Sequence, residues 1–296
     1  MQSTIDCASG RSREHSLYMR CREGEPGRPR LSLLHGNGFS SGTLMPLAEA
    51  LPESWNIWLP DIPGHGCSGM PGTHHPDWQD MADSIAESLR HQAHTATLGP
   101  LIGIGHSFGG MLTLLAACRH PAMFSEIILL DPPLHTPGLI PVMHVAHATG
   151  TWRRIGLVKK ALSRRRHWPD RVAMRESLQK RQLYQKWDPA ALEGFVQTGA
   201  VESATGGVEL ACDPAWEAAI FASTPQRLWA KIKRLTVPTT IVNASDNAIF
   251  FARAGAERAA RVNPVIKRID HGDSHCFPME DPAGTAELIE NLLGHQ

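Results

Sequence analysis

Residues 101–110 read Leu-Ile-Gly-Ile-Gly-His-Ser-Phe-Gly-Gly, and their reading decides the fold. An apolar run predicts a strand over Pro100–Gly105, and Gly109–Arg119 predicts a helix that Pro121 stops. Between them lies Gly105-His106-Ser107-Phe108-Gly109, a G-x-S-x-G pattern. In a strand-to-helix turn this pattern makes the chain reverse so tightly that glycines must flank the serine. The serine hydroxyl then stands above the sheet, with the N-terminus of the following helix beneath it. A bare G-x-S-x-G also occurs by chance, so a tight turn carrying an incidental serine is the bland alternative.

The flanking sequence has the same strand–helix rhythm. Strands are expected at Leu31–His35, Asn56–Leu59 and Glu126–Leu130, and helices at Thr43–Leu51 and around Met81, Ile85 and Leu89. Alternation of this kind predicts an α/β fold with a mainly parallel sheet. After Pro133 the rhythm changes to helical patterns with few strand signals, including an Asp188-Pro189 helix start. Strands resume at Val237–Asn243 and Val265–Ile269, with a helix over Arg253–Val262 between them and a last helix opened by Asp281-Pro282. The expected organisation is therefore a core of residues 1–133 and 234–296 with residues 134–233 inserted, a span too long for a loop.

A second reading of the glycines competes with the first. Gly103-x-Gly105-x-x-x-Gly109 is similar to a dinucleotide-binding pattern, which needs an acidic residue after the next strand. Asp131 meets that need only loosely. Upstream, Gly36-x-Gly38 fails because Ser41 stands at the third glycine position. The downstream residues favour the serine. A serine is a weak nucleophile until a base takes its proton and a third group orients the base. Asp246 follows one late strand and His275 the next, which puts Ser107, Asp246 and His275 in hydrolase order, each partner in a post-strand loop.

With these residues in place, the chain resembles the α/β-hydrolase superfamily over nearly its whole length. His35-Gly36-Asn37-Gly38-Phe39 is similar to the family's oxyanion loop, and Asp61-Ile-Pro-Gly-His-Gly-Cys-Ser68 to its D-x-P-G-x-G-x-S turn. Gly105–Gly109 is similar to its nucleophile elbow, and His275-Cys-Phe-Pro-Met-Glu-Asp-Pro282 to the segment that carries its base. The resemblance implies a parallel sheet flanked by helices, with a helical cap inserted after the sixth core strand. It implies Ser107 as nucleophile, His275 as base, Asp246 as the orienting acid, and the backbone N–H groups of Asn37 and Phe108 as oxyanion donors. Gly38 replaces Asn37 if the loop is shifted by one residue. Asp131 is the rival acid, since some members place it after the earlier strand; Asp246 is preferred because the acid usually follows the later one. His271 is the rival base, but only His275 stands five residues before Glu280. His35, His65 and His106 belong to turns and are expected to be structural. A serine at the elbow excludes the epoxide-hydrolase and haloalkane-dehalogenase members, which need an aspartate there.

Composition narrows the class without naming a substrate. The 296 residues carry 29 Lys+Arg against 29 Asp+Glu, with 42% hydrophobic and 20% charged residues. This is the profile of an ordinary globular enzyme and argues against a dedicated nucleic-acid binder. No apolar run approaches the roughly 18 residues of a membrane span. The first fifteen residues carry no signal-like run, and six scattered cysteines suit reduced thiols, so a cytoplasmic location is expected. The motifs call for no metal or organic cofactor. The insertion is unevenly charged: between Gly150 and Lys186 twelve Lys/Arg face only Asp170 and Glu176. A solvated helix face is the plainer explanation; attraction of an acidic carrier protein, a coenzyme A ester or an anionic membrane surface is the sharper one. Trp152, Trp168, Trp187, Trp216 and Trp229 either line an apolar pocket or knit the cap together. The expectation is a serine hydrolase cleaving a carboxylic ester of a small apolar or aromatic substrate. Thioesterase or carbon–carbon bond hydrolase activity, a non-catalytic binding protein on the same fold, and a nucleotide-binding oxidoreductase are the alternatives.

Overall fold

The computed structural model describes residues 17–71, 76–93, 101–245 and 250–294. Five strands come first: β1 (Met19–Arg22), β2 (Arg30–Leu34), β3 (Asn56–Pro60), β4 (Leu101–His106) and β5 (Glu126–Leu130). The insertion adds the short β6 (His167–Trp168), β7 (Ala200–Glu202) and β8 (Val208–Leu210), and the chain then returns through β9 (Thr239–Asn243) and β10 (Ile266–Asp270). The main sheet has seven strands in the order β1-β3-β2-β4-β5-β9-β10, and only the β1–β3 pair is antiparallel. Among the described residues five strands, not six, precede the insertion.

Helices cover both faces of the sheet. In the first half these are α1 (Met45–Ala50), α2 (Trp78–Ala93) and α3 (Phe108–Arg119). The insertion carries α4 (Leu139–Ala148), α5 (Gly156–Leu162), α6 (Arg171–Gln179), α7 (Pro189–Thr198) and α8 (Pro214–Ala222). Then follow α9 (Leu228–Arg234), α10 (Phe250–Val262), α11 (Phe277–Glu280) and α12 (Pro282–Gly294). Burial on both faces is why β4 reads as a continuous apolar run with every residue buried. α2 buries a stripe of Trp78, Met81, Ala82, Ile85, Ala86 and Leu89, the i, i+3, i+4 signature of an amphipathic helix. One apolar cluster joins α2, α3, α9 and α10, and a second joins α1 and α12.

The insertion is tied to both clusters. Trp216 and Ile220 of α8 enter the first, and residues of α6 and α7 enter the second. Backbone closely approaches backbone at Gly194 of α7, where a Cβ would lie 2.1 Å from the carbonyl oxygen of Gly42, in the short helical turn Ser41–Leu44. Asp170, Asp188 and Asp213 cap α6, α7 and α8 by accepting from Ala173, Ala190 and Ala215 N–H, each at 2.7 Å. The insertion also holds a three-stranded antiparallel sheet, β6-β8-β7. α9 straddles the boundary at residue 233; its Leu228 and Ile232 pack in the first core cluster, and Asn263 Nδ2 donates to the carbonyls of Ile232 and Leu235.

Candidate active site

β4 ends at the centre of the sheet, and its last residue delivers the chain into Ser107 at φ 53° and ψ −119°. Among the described residues only Ser107, Asp131 and Arg227 combine a side chain with positive φ. The left-handed region is costly for them and is held by surrounding structure. The flanking glycines are obligatory. A Cβ on Gly105 would stand 2.4 Å from the Gly109 carbonyl oxygen, and one on Gly109 2.4 Å from the carbonyls of Leu34 and His35. Ser107 N–H donates to Leu130 O at 2.8 Å, pinning the turn to the neighbouring strand.

His275 stands over Ser107, with Nε2 at 3.0 Å from Ser107 Oγ and Nδ1 at 2.6 Å from Asp131 Oδ2. The carboxylate fixes the tautomer: Nδ1–H donates to Asp131, and the Nε2 lone pair faces the serine hydroxyl. Asp131 is locked in turn. Its N–H donates to Val242 O at 2.7 Å, and its Oδ1 accepts from Asn243 Nδ2 and Ala244 N–H, both at 3.2 Å. Burial alone would raise this carboxyl, but the hydrogen bonds from His275, Asn243 and Ala244 outweigh it and hold the pKa below the ordinary aspartate value. Asp131 therefore faces His275 as a carboxylate.

Among the described residues Asp131 is the acid that faces His275. Asp246 lies outside the described residues, and the single Nδ1–H of His275 is already engaged by Asp131. The parallel pairing of β5 with β9 puts the two strand ends side by side, so an acid from either could reach the histidine. Asp131 takes the place through its short bond. His271 has its ring edge-on against Phe277, at 5.4 Å between centroids, and not against Ser107.

The three other histidines named in turns are fully buried and neutral. His35 Nε2 accepts from Ile62 N–H at 3.1 Å and its Nδ1–H donates to Gly36 O at 2.8 Å. His65 Nε2 accepts from Gly38 N–H at 3.0 Å and its Nδ1–H donates to Pro63 O at 3.1 Å. His106 has the opposite tautomer, with Nε2–H donating to the carbonyl of His275 at 2.8 Å. Burial pushes their pKa values down, to about 4 for His35 and about 3 for His65 and His106. The His65 bond also bears on the backbone donors of this loop. Gly38 N–H is engaged, whereas among the described residues the N–H groups of Asn37 and Phe108 make no hydrogen bond.

A profile of the alpha/beta hydrolase family matches residues 33–288. The chain belongs to that family. Its fold agrees with solved members: E-2-(acetamidomethylene)succinate hydrolase superposes with a TM-score of 0.72 at 21% identity, covering 94% of this chain and 95% of that one. The thioesterase domain from the curacin biosynthetic pathway gives 0.70 at 19% identity, covering 92% and 94%. Curated relatives align over part of the chain. A type I acyl-CoA thioesterase of Penicillium roqueforti is 28% identical over 54% of this chain and 37% of its own length. A pimeloyl-[acyl-carrier protein] methyl ester esterase of Xylella fastidiosa is 33% identical over 36% of this chain and 37% of its own. The alignments thus span well under half of these relatives.

In this alpha/beta hydrolase the insertion reaches the His35–Phe39 loop and the turn after β3 through Arg164 and Trp216 and through Glu217, which the sequence left unmarked. Glu217 of α8 accepts the Asn37 side-chain amide on its backbone carbonyl at 3.0 Å, and Trp216 donates its indole N–H to Pro63 O at 3.2 Å. Arg164, read among a solvated basic run, is largely buried and pairs with Glu217 at 2.6 Å. The tryptophans mostly knit: Trp187 stacks edge-on with Phe39 and Tyr184, Trp168 is buried in β6, and Trp229 donates to His135 O. No helix among the described residues is long and apolar enough to cross a membrane.

Proposed function

We propose that this hydrolase cleaves carboxylic esters or thioesters through an acyl-enzyme. The single observation carrying the proposal is the unbroken hydrogen-bonded line from Ser107 Oγ through His275 to the Asp131 carboxylate. Ser107 Oγ attacks the acyl carbon while His275 Nε2 takes its proton, and Asp131 holds the resulting imidazolium. The oxyanion accepts from the N–H groups of Asn37 and Phe108; one such donor is typically worth about 2.7–4 kcal/mol. His275 then returns the proton to the departing alkoxide or thiolate. Water enters, gives its proton to the same nitrogen, and releases the acid.

The thioester form is favoured by charge and by likeness. One relative is named as an acyl-CoA thioesterase, and another as a methyl ester esterase whose acyl group is on an acyl-carrier protein. On the insertion, an open groove of about 590 Å³ is lined by Arg165, Lys180 and Arg181, with Glu176 as the acidic member. Among the described residues Lys180 and Arg181 make no ion pair, whereas Arg166, Arg171 and Arg175 are paired with Asp213, Glu202 and Glu193. An anionic carrier, or the phosphates of coenzyme A, suits that groove. The deciding experiment measures kcat/KM across p-nitrophenyl esters of graded chain length with acyl-CoAs alongside. Turnover of either series, abolished by Ser107→Ala, supports the reading; an enzyme inert to both, and unlabelled by a fluorophosphonate, overturns it.

A further inference from the structure

The loop that carries Asn37 is held from two sides by different parts of the molecule. From the core, His65 Nε2 accepts the Gly38 N–H at 3.0 Å. From the insertion, Arg164 Nη1 donates to the Gly38 carbonyl at 3.3 Å, and the Glu217 backbone carbonyl accepts from Asn37 Nδ2 at 3.0 Å. The two insertion residues are also bound to each other, Arg164 Nη1 to Glu217 Oε2 at 2.6 Å, and Arg164 Nη2 donates to Tyr184 OH at 3.2 Å. Glu217 is only 6% exposed. There is no slack between the parts. Gly38 sits at φ 75°, and a Cβ there would lie 2.6 Å from the Glu217 carboxyl carbon and 2.7 Å from Arg164 Nη1.

A buried ion pair is weak evidence for stability, because desolvating two charges offsets most of their attraction. Its value here lies in position. Arg164 comes from the segment between α5 and β6, Glu217 from α8, and they converge on the Gly38 carbonyl and the Asn37 side chain. A donor works in acyl transfer only if it points at the developing oxyanion before the charge appears. We propose that Arg164 and Glu217 are positioning residues that clamp the oxyanion loop, so that the insertion sets the direction of the Asn37 N–H. This rests on the hydrolase reading above and adds a claim that reading does not need: the insertion contributes to the chemical step.

The test compares Arg164→Met, Arg164→Lys and Glu217→Gln on a neutral p-nitrophenyl ester, with rates divided by active sites titrated with a fluorophosphonate. Arg166→Met is the control, because Arg166 pairs with Asp213 at the surface of the insertion. Losing one oxyanion donor outright costs about 10²–10³ in kcat, so a misaimed donor in Arg164→Met is expected to cost roughly 10-fold or more. KM should stay within about twofold, since the loss falls on the transition state. Arg164→Lys, which keeps the charge, should recover part of the rate. The Ki of a trifluoromethyl ketone, whose tetrahedral adduct carries the oxyanion, should rise by the same factor as kcat/KM falls. The conservative pair Arg164→Lys and Glu217→Gln carries the same comparison if the methionine variant does not fold. Unchanged kcat per titrated site and unchanged ketone affinity in all three variants would overturn the clamp while leaving the hydrolase intact. A wild-type protein inert to ester and fluorophosphonate overturns both.

Discussion

Ser107 and Asp131 share a backbone conformation that ordinary side chains avoid, and His275 bridges them. That pairing of strain with function is the residue-level mark of the site. The serine was legible because its glycines are forced by close backbone approach, and the histidine because its loop motif is specific. The acid is ambiguous in the sequence, because Asp131 and Asp246 each follow a strand and nothing local says which side chain turns toward the histidine. Only the Asn243 and Ala244 hydrogen bonds, made across two strands, aim Asp131. Asp131→Asn should therefore lower kcat by about 10⁴, the cost of the wrong histidine tautomer, while Asp246→Asn stays within about threefold. Parallel pH-stat assays of both variants check this, and the reverse ranking would return the acid to the later strand. His35, His65 and His106 yield a second prediction. Their folded pKa values lie below the ordinary 6.5, so the unfolded chain binds more protons as pH falls. Stability is thus fully present above pH 6.5 and is lost on acidification toward pH 3–4, by up to roughly 1 kcal/mol per pH unit for each ring. Thermal melts from pH 7.5 to 4.5 should show a steadily falling Tm; a flat profile contradicts neutral burial of the three rings.

At the level of elements, the parallel sheet could be read because its strands are buried on both faces and stand out as apolar runs. The small β6-β8-β7 sheet could not: its strands are two or three residues long and show no usable alternation. The junction between the parts rests on Gly42 and Gly194. Gly42→Ala would place a methyl 2.3 Å from both Gly194 O and Thr198 Oγ1, which forces α7 off the core. Overpacking of this kind should cost about 1–3 kcal/mol. Gly156, the first residue of α5, has open space around its Cβ position, and Gly156→Ala should stabilise by about 0.4–1 kcal/mol. Urea unfolding of the two variants measures both; equal midpoints would mean the two parts do not meet through those glycines.

Over the whole molecule, a chain with balanced charge carries a positive excess in one segment, between Gly150 and Lys186. Reading that excess as a solvated helix face was partly mistaken, because sequence does not show that Arg164 turns inward to Glu217 or that Arg166, Arg171 and Arg175 find acids. What stays outward acts at long range and is screened over about 8 Å at physiological ionic strength. Salt should therefore lower kcat/KM for an acyl-CoA while leaving a neutral ester nearly unaffected, and reversing Lys180 and Arg181 to glutamate should remove the difference. Equal salt response for both substrates would leave the groove without a role in recruitment. The central claim is that Ser107 becomes acylated, with His275 and Asp131 driving both halves of the reaction. Rapid-quench mass spectrometry on a p-nitrophenyl ester tests it most directly. The account predicts a burst of p-nitrophenol stoichiometric with enzyme and an acyl mass on the peptide containing Ser107, absent in Ser107→Ala. Turnover with no burst and no acyl adduct, or an adduct on another residue, would contradict it.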